Sequence, residues 1–367
     1  MRSRVRTVLI CLLTIGLLAF FLRNADMAGV WAETRRARTD LLVLALIVTA
    51  LTYVLRALRW QYLLAPIGPT HFANAFRTTV IGFAASFLLP ARAGEVIRPY
   101  LLARKENLSA TAAFATIILE RLLDLITVLL LFGVFVALIP GSGVSGDPTA
   151  FARVKLGGQL AALAALTGLG LLFVLAGHPE RMGRWALRVE RVLPARLARA
   201  VASFVESFAQ GLAVMRQPLR LLVALAWSFP IWLSIAAGIW LTSLAFHITF
   251  PFAGTFLVTM LLVVGVAMPT PGAIGGFHAA YQIAVQTFFA APDDRAVGGA
   301  IVLHAISFVP VTILGIVFMA REGLTLGRAR TLAAEAGEGD PPGPNGGSEP
   351  SEPAEGSPNE SLAGAAR

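Results

Sequence analysis

Glu120, Arg121 and Asp124, in the apolar run ILERLLDLI, are ionisable residues placed where a membrane helix would hold them far from water. Each costs several kcal/mol at bilayer depth unless it pairs or lines a wet cavity. Four residues apart, Glu120 and Asp124 share one helix face, with Arg121 about 100° round from them. Such a group either joins neighbouring helices through a buried network or serves a ligand or proton path. Upstream, the string PARAGEVIRP brings Arg92, Glu95 and Arg98 beside Pro90 and Gly94. Proline removes a donor and glycine relaxes the backbone, so a helix opens there with free amides. Free amides and two guanidinium groups suit a phosphate, with Glu95 available to pair when no ligand is present.

Downstream, VAMPTPGAIGGFHAAYQ contains Pro269, Pro271, Gly272, Gly275 and Gly276, followed by His278, Tyr281 and Gln282. It repeats the earlier design of apolar run, proline break and glycine four residues later (Pro90/Gly94, Pro271/Gly275). Two broken segments at corresponding places in two halves mark an internally repeated transporter with its site between the repeats. Gly272 and Gly276 also form GxxxG, which serves close helix packing instead. Arg56 and Arg59, in LRALRW, are three apart on one face. They either snorkel to headgroups or line a cavity.

The elements that position these residues belong to a membrane. Of the residues, 56% are hydrophobic and only 14% charged, and several apolar runs approach or exceed the roughly 20 residues that span a bilayer. The expected fold is all-α, a polytopic bundle over residues 1–325 with about eight spans. These lie near 7–22, 41–63, 112–139, 156–177, 219–245, 253–268, 277–291 and 298–320, with interrupted or re-entrant stretches at 73–89 and 269–276. Loop 178–218 carries seven arginines against three glutamates, including a stripe from Arg181 to Arg191 suited to anionic lipid. It is expected on the cytoplasmic side, as are segment 90–110 and both termini. Residues 23–40, also arginine-rich, run against that scheme. The tail from 334 to 367 is rich in Pro, Gly, Ser and Glu and is expected to be disordered. It holds seven of the acidic residues, so residues 1–333 have 29 basic against 14 acidic groups, a charge of +15. That excess points to anionic lipid rather than nucleic acid.

Several chemistries lack their residues. Cys11 is the lone cysteine, and the five histidines show no HExxH spacing, so no metal centre or other cofactor is expected. There is no GxxxxGK phosphate loop. GSGVSG at 141–146 fits a dinucleotide fingerprint in letters only, because it leads into Asp147-Pro148, a turn.

On PARAGEVIR (Pro90 to Arg98), ERLLD (Glu120 to Asp124), RALRW (Arg56 to Trp60) and PTPGAIGGFH (Pro269 to His278), the chain resembles the lysylphosphatidylglycerol synthase transmembrane region. This is a flippase-like family of multi-pass proteins, including the UPF0104 type, and the resemblance covers about residues 5–325. The last motif departs from the family pattern, with Ala273 in place of a glycine and His278 in place of an acid. No aminoacyl-transferase domain follows the membrane region here, so the resemblance implies the translocation half of that chemistry. The leading expectation is ATP-independent flipping of a phosphate-bearing lipid or lipid carrier across the plasma membrane. A lipid-modifying or polyprenyl-phosphate transferase, and a membrane partner for a separately encoded synthase, remain the alternatives.

Overall fold

A computed structural model describes residues 26–89, 92–138, 148–177, 210–268 and 270–324, with scattered positions at 15–22 and 207–208. Pro90, Pro269, the Arg181–Arg191 stripe, GSGVSG and the acidic tail lie outside these residues. Among the described residues every regular element is helical. In chain order the helices are α1 (Met27–Arg36), α2 (Thr39–Leu64), α3 (Phe72–Leu88), α4 (Gly94–Glu106) and α5 (Ala110–Leu138). They continue as α6 (Pro148–Gly177), α7 (Pro218–Ala245), α8 (Gly254–Ala267), α9 (Gly276–Phe289) and α10 (Asp293–Arg321). Helices α2, α5, α6, α7 and α10 are long and apolar enough to cross a membrane. The protein is therefore an integral, multi-pass membrane protein.

Residues 253–268 and 277–291, expected to be full spans, are instead the two arms of a hairpin. Helices α8 and α9 have 14 residues each. At 1.5 Å per residue that is about 21 Å, short of a hydrocarbon core of about 30 Å. Their mouth closes where Phe250 stacks on Phe289 with centroids 4.4 Å apart. Their tips meet at Gly265 and Gly276, where a Cβ on Gly276 would collide with the carbonyl oxygen of Gly265. Helices α3 and α4 repeat this construction. A Cβ on Gly94 would overlap the Gly82 carbonyl and come within 2.5 Å of Ser86 Oγ. The structural equivalents are thus Gly94 and Gly276, each the first residue of its returning helix, rather than Gly94 and Gly275. Gly276 packs on Gly265 of α8, not through a GxxxG seam with Gly272.

The mouth of the first hairpin is held by Glu106. Its Oε1 accepts from the His71 amide at 2.9 Å and from Asn74 Nδ2 at 2.8 Å, capping the start of α3 from the end of α4. Burial opposes the charged carboxylate, but the His71 amide and the Asn74 and His71 side chains outweigh it and hold Glu106 below its ordinary value of 4.5. A depressed carboxylate stabilises above its unfolded-state value, and this contribution is lost as pH falls through the lowered native one. Glu106→Gln is expected to cost about 1–2 kcal/mol at pH 7. In thermal melts the gap from the parent should narrow as pH falls below the ordinary carboxylate value and close only below the lowered native one.

The helix packing of one half maps onto the other. Contacts α2/α3, α3/α4 and α4/α5 correspond to α7/α8, α8/α9 and α9/α10, and the crossed contact α3/α10 corresponds to α8/α5. The central pair α2 and α7 runs antiparallel. Thr52 meets Ser234 at 2.8 Å, Arg59 meets Ser228 at 2.7 Å, and the Arg38 amide meets the Ala245 carbonyl at 3.0 Å. Each hairpin follows one of these opposed helices, so the halves are inverted repeats whose hairpin tips meet in the interior.

Candidate functional site

Arg56 and Arg59 stand one turn apart near the end of α2, and both are buried, Arg59 completely. They do not snorkel. Arg59 Nη1 donates to Asp124 Oδ1 at 2.5 Å and to Ser228 Oγ at 2.7 Å, while Nη2 lies 3.4 Å from Glu120 Oε1. Arg56 Nη1 lies 3.5 Å from Asp124 Oδ2, and its guanidinium sits over the rings of Phe83 and Trp232. Arg98 of α4 donates to Glu120 Oε1 at 3.1 Å and sits over Trp60, its guanidinium carbon 3.9 Å from the ring centroid. Trp60 is itself fixed by its Nε1 donating to Thr116 Oγ1 at 3.0 Å.

Arg121, although turned away from the Glu120–Asp124 face, reaches both acids, at 3.2 Å and 3.6 Å. Half-buried Glu95 lies 3.9 Å from Arg121 and 3.8 Å from Arg92. Glu120 and Asp124 lie about 15–20 Å along α5, so water cannot take over these pairs without opening the bundle. The network joins α2, α4 and α5, and Trp232 of α7 reaches into it with Nε1 donating to Asp124 Oδ1 at 3.0 Å. Trp232 and Ser228 gave no signal of their own in the sequence, since nothing in an apolar helix marks which tryptophan or serine will face an acid two helices away.

Two cavities flank this network. The first, about 400 Å³, is lined by Arg92, Gly94, Glu95, Arg98 and Arg121 on one side and by Met268, Thr270, Pro271 and Ala273 of the second break on the other. The second, about 340 Å³, is more apolar; Arg56, Asp124 and Trp232 share it with Tyr53, Leu125, Leu262 and Phe277. Phe83, Phe87, Arg92, Arg121, Val266 and Ala267 line both, forming the partition between them. Arg92, in the left-handed region at φ 53°, spans the hairpin tips by donating through Nη2 to the Val266 carbonyl. Gly94 and Glu95, the first two residues of α4, line the first cavity.

The remaining expected residues do not join the arginines. His278 packs among Phe21, Phe277 and His304, with the two imidazole centroids 4.6 Å apart. Its Nδ1 accepts from the Gly275 amide at 3.4 Å, and His304 Nε2 lies 2.8 Å from the Gly272 carbonyl. Tyr281 exchanges a 2.8 Å hydrogen bond with Ser243 of α7, and Gln282 is buried nearby on α9. Gly272 and Gly275 take positive φ, as the second break requires. The second half therefore keeps the joint between its long helices and its hairpin but builds it from neutral groups, whereas the first half builds it from ions. The single polar network of Glu120, Arg121, Asp124, His278, Tyr281 and Gln282 that the two matching breaks suggest from sequence is therefore not formed, because sequence spacing carries no information on which half a helix will face.

Comparison with known proteins agrees with this architecture. The chain is 28% identical over 182 residues to a glycosyltransferase, AglD, of Haloferax volcanii, covering 47% of this chain and 29% of that protein. It is 30% identical over 100 residues to the UPF0104 membrane protein MJ1595 of Methanocaldococcus jannaschii, covering 26% of this chain and 30% of that one. The matches thus span less than a third of either relative. The family model for the lysylphosphatidylglycerol synthase transmembrane region matches residues 7–315, which takes in both hairpins and the arginine network, and the chain belongs to that family.

Proposed function

We propose that this protein translocates a phosphate-bearing lipid between the leaflets of the plasma membrane without ATP, with both termini cytoplasmic. The observation that carries the proposal is the arginine-lined pair of cavities where the two inverted hairpins meet, divided only by a thin partition. The headgroup occupies the polar cavity against Arg92, Arg98 and Arg121. The more apolar cavity accommodates lipid chain. Movement of one hairpin tip against the other breaks the Arg92–Val266 contact and opens the partition, as rocking of repeats does in inverted-repeat transporters. Arg92 is half exposed and meets the ion network only through half-buried Glu95, so among the cavity arginines its loss weighs least on folding.

In proteoliposomes carrying a short-chain fluorescent lipid phosphate, Arg92→Gln is expected to slow translocation at least about tenfold, on the order of the 1.4 kcal/mol that one charge-assisted hydrogen bond supplies. Its melting midpoint should stay with the parent. Full-rate translocation by this variant removes the headgroup role.

A second reading is a membrane-embedded lipid transferase. It draws on the name of the Haloferax relative and on Glu95, an acid in the first cavity between two arginines. Covalently altered lipid appearing with the purified protein, and lost in Glu95→Gln, supports that reading; an unchanged lipid inventory counts against it.

A further inference from the structure

We infer that the ligand of this site carries two negative charges on one terminal group, as a phosphate monoester or diphosphate does, and that Arg121 reads the second charge. The inference rests on the translocator reading and sharpens its substrate class. Five arginines (56, 59, 92, 98 and 121) meet three carboxylates (Glu95, Glu120 and Asp124) around the two cavities, leaving a surplus of two positive charges among the described residues. Arginine does not discharge by losing a proton in a protein, so the part of this surplus that solvent does not meet at Arg92 and Arg121, 46% and 36% exposed, falls to an anion in the cavities. The buried N–H groups agree with the count. Among the described residues Arg56 Nη1, Arg59 Nε and Nη2, Arg98 Nε and Nη2, and Arg121 Nε have no hydrogen-bond acceptor, although Arg98 exposes only 3% of its side chain and Arg56 only 8%.

The carboxylates cannot satisfy them all: among the described residues Glu120 Oε2 and Asp124 Oδ2 are the two buried carboxylate oxygens without a partner, against six such nitrogens on Arg56, Arg59, Arg98 and Arg121. Asp124 Oδ1 already accepts from Arg59 and Trp232, and Glu120 Oε1 from Arg98 and Arg121. Arg98 and Arg121 both line the first cavity, and Arg56 and Arg121 both line the second. A tetrahedral group entering from either side therefore meets Arg121, Arg92 and one further guanidinium, Arg98 or Arg56. Zwitterionic headgroups bring no net charge and a phosphodiester brings one. A phosphate monoester above its second pKa of about 6 brings nearly two and presents three acceptor oxygens.

The test uses the full chain in phosphatidylcholine nanodiscs doped with phosphatidic acid, a monoester, or with phosphatidylglycerol, a diester, plus a separate arm with inorganic phosphate in solution. At pH 8 the monoester should bind at least about tenfold tighter than the diester. At pH 5, where it carries a single charge, the preference should shrink to a few-fold. Arg121→Gln should make monoester and diester equal at pH 8, and Arg121→Lys should keep the pH-dependent preference. Equal binding of the two lipids by the parent protein at pH 8, or a preference untouched in Arg121→Gln, overturns the inference. Inorganic phosphate binding as tightly as the lipid monoester overturns its lipid part. Translocation assays on the same protein keep the two readings apart. Selective binding without translocation sinks the translocator reading alone, whereas translocation of diesters with no monoester preference sinks this inference alone.

Discussion

Asp124→Asn is expected to be the most damaging single substitution in the bundle. Its carboxylate accepts from Arg59 at 2.5 Å and from Trp232 at 3.0 Å, and lies 3.5–3.6 Å from Arg56 and Arg121. Asparagine keeps the shape but removes the charge that these guanidinium groups were desolvated to meet. Breaking a buried pair from one side costs about 3–5 kcal/mol, a large share of the 5–15 kcal/mol that holds a typical domain together. The variant should melt far below the parent in detergent or be degraded on expression. Removing an opposing charge should restore part of the loss, so the double variant Asp124→Asn/Arg59→Gln should be more stable than additivity predicts, with a coupling of about 1–3 kcal/mol. A single variant with the parental midpoint would refute the network as a source of stability. Such a network does not maximise stability, since apolar residues of equal volume often do as well. Its retention fits a site that must present cations to a ligand.

The tips of the hairpins carry the second large effect. Gly94→Ala and Gly276→Ala each place a methyl against a backbone carbonyl of the partner arm, Gly82 in one case and Gly265 in the other. A backbone atom cannot step aside as a flexible side chain does, so the arms must separate. Overpacking of this kind costs about 1–3 kcal/mol and displaces the first turn of α4 or α9 from the partition. Both variants should lose thermal stability, and translocation should fall further than stability does. Gly133 and Gly170 provide the control, because a Cβ at either meets nothing within 4 Å. Alanine there should be neutral or stabilising by up to about 1 kcal/mol. If Gly94→Ala melts and transports like the parent while the controls also do, the close approach of the arms is wrong.

Much of this arrangement was legible beforehand, for identifiable reasons. Prolines and glycines interrupting apolar runs announced both breaks, since those residues leave few other backbone options. Glu120, Arg121 and Asp124 stood out because charge is expensive inside an apolar helix. The first hairpin was legible in part, since 73–89 reads as an interrupted or re-entrant stretch. The second was not: 253–268 and 277–291 are apolar throughout, and composition alone does not distinguish a hairpin arm from a short crossing. His278 follows the second break as Glu95 follows the first, yet it packs against His304 and Phe21.

The amino-acid sequence by itself determined that this is a multi-pass helical membrane protein, where its chain breaks, and which charged groups must find partners inside. Hydrophobicity, backbone restriction and the cost of buried charge are local properties that each residue carries wherever it lies. Only the tertiary structure decided that the halves are inverted, that Arg59 answers an acid 65 residues away, and that the ions gather in one half while neutral groups fill the same joint in the other. Those outcomes depend on which helix faces meet and in what register, which follow from packing the whole bundle at once rather than from any segment of it.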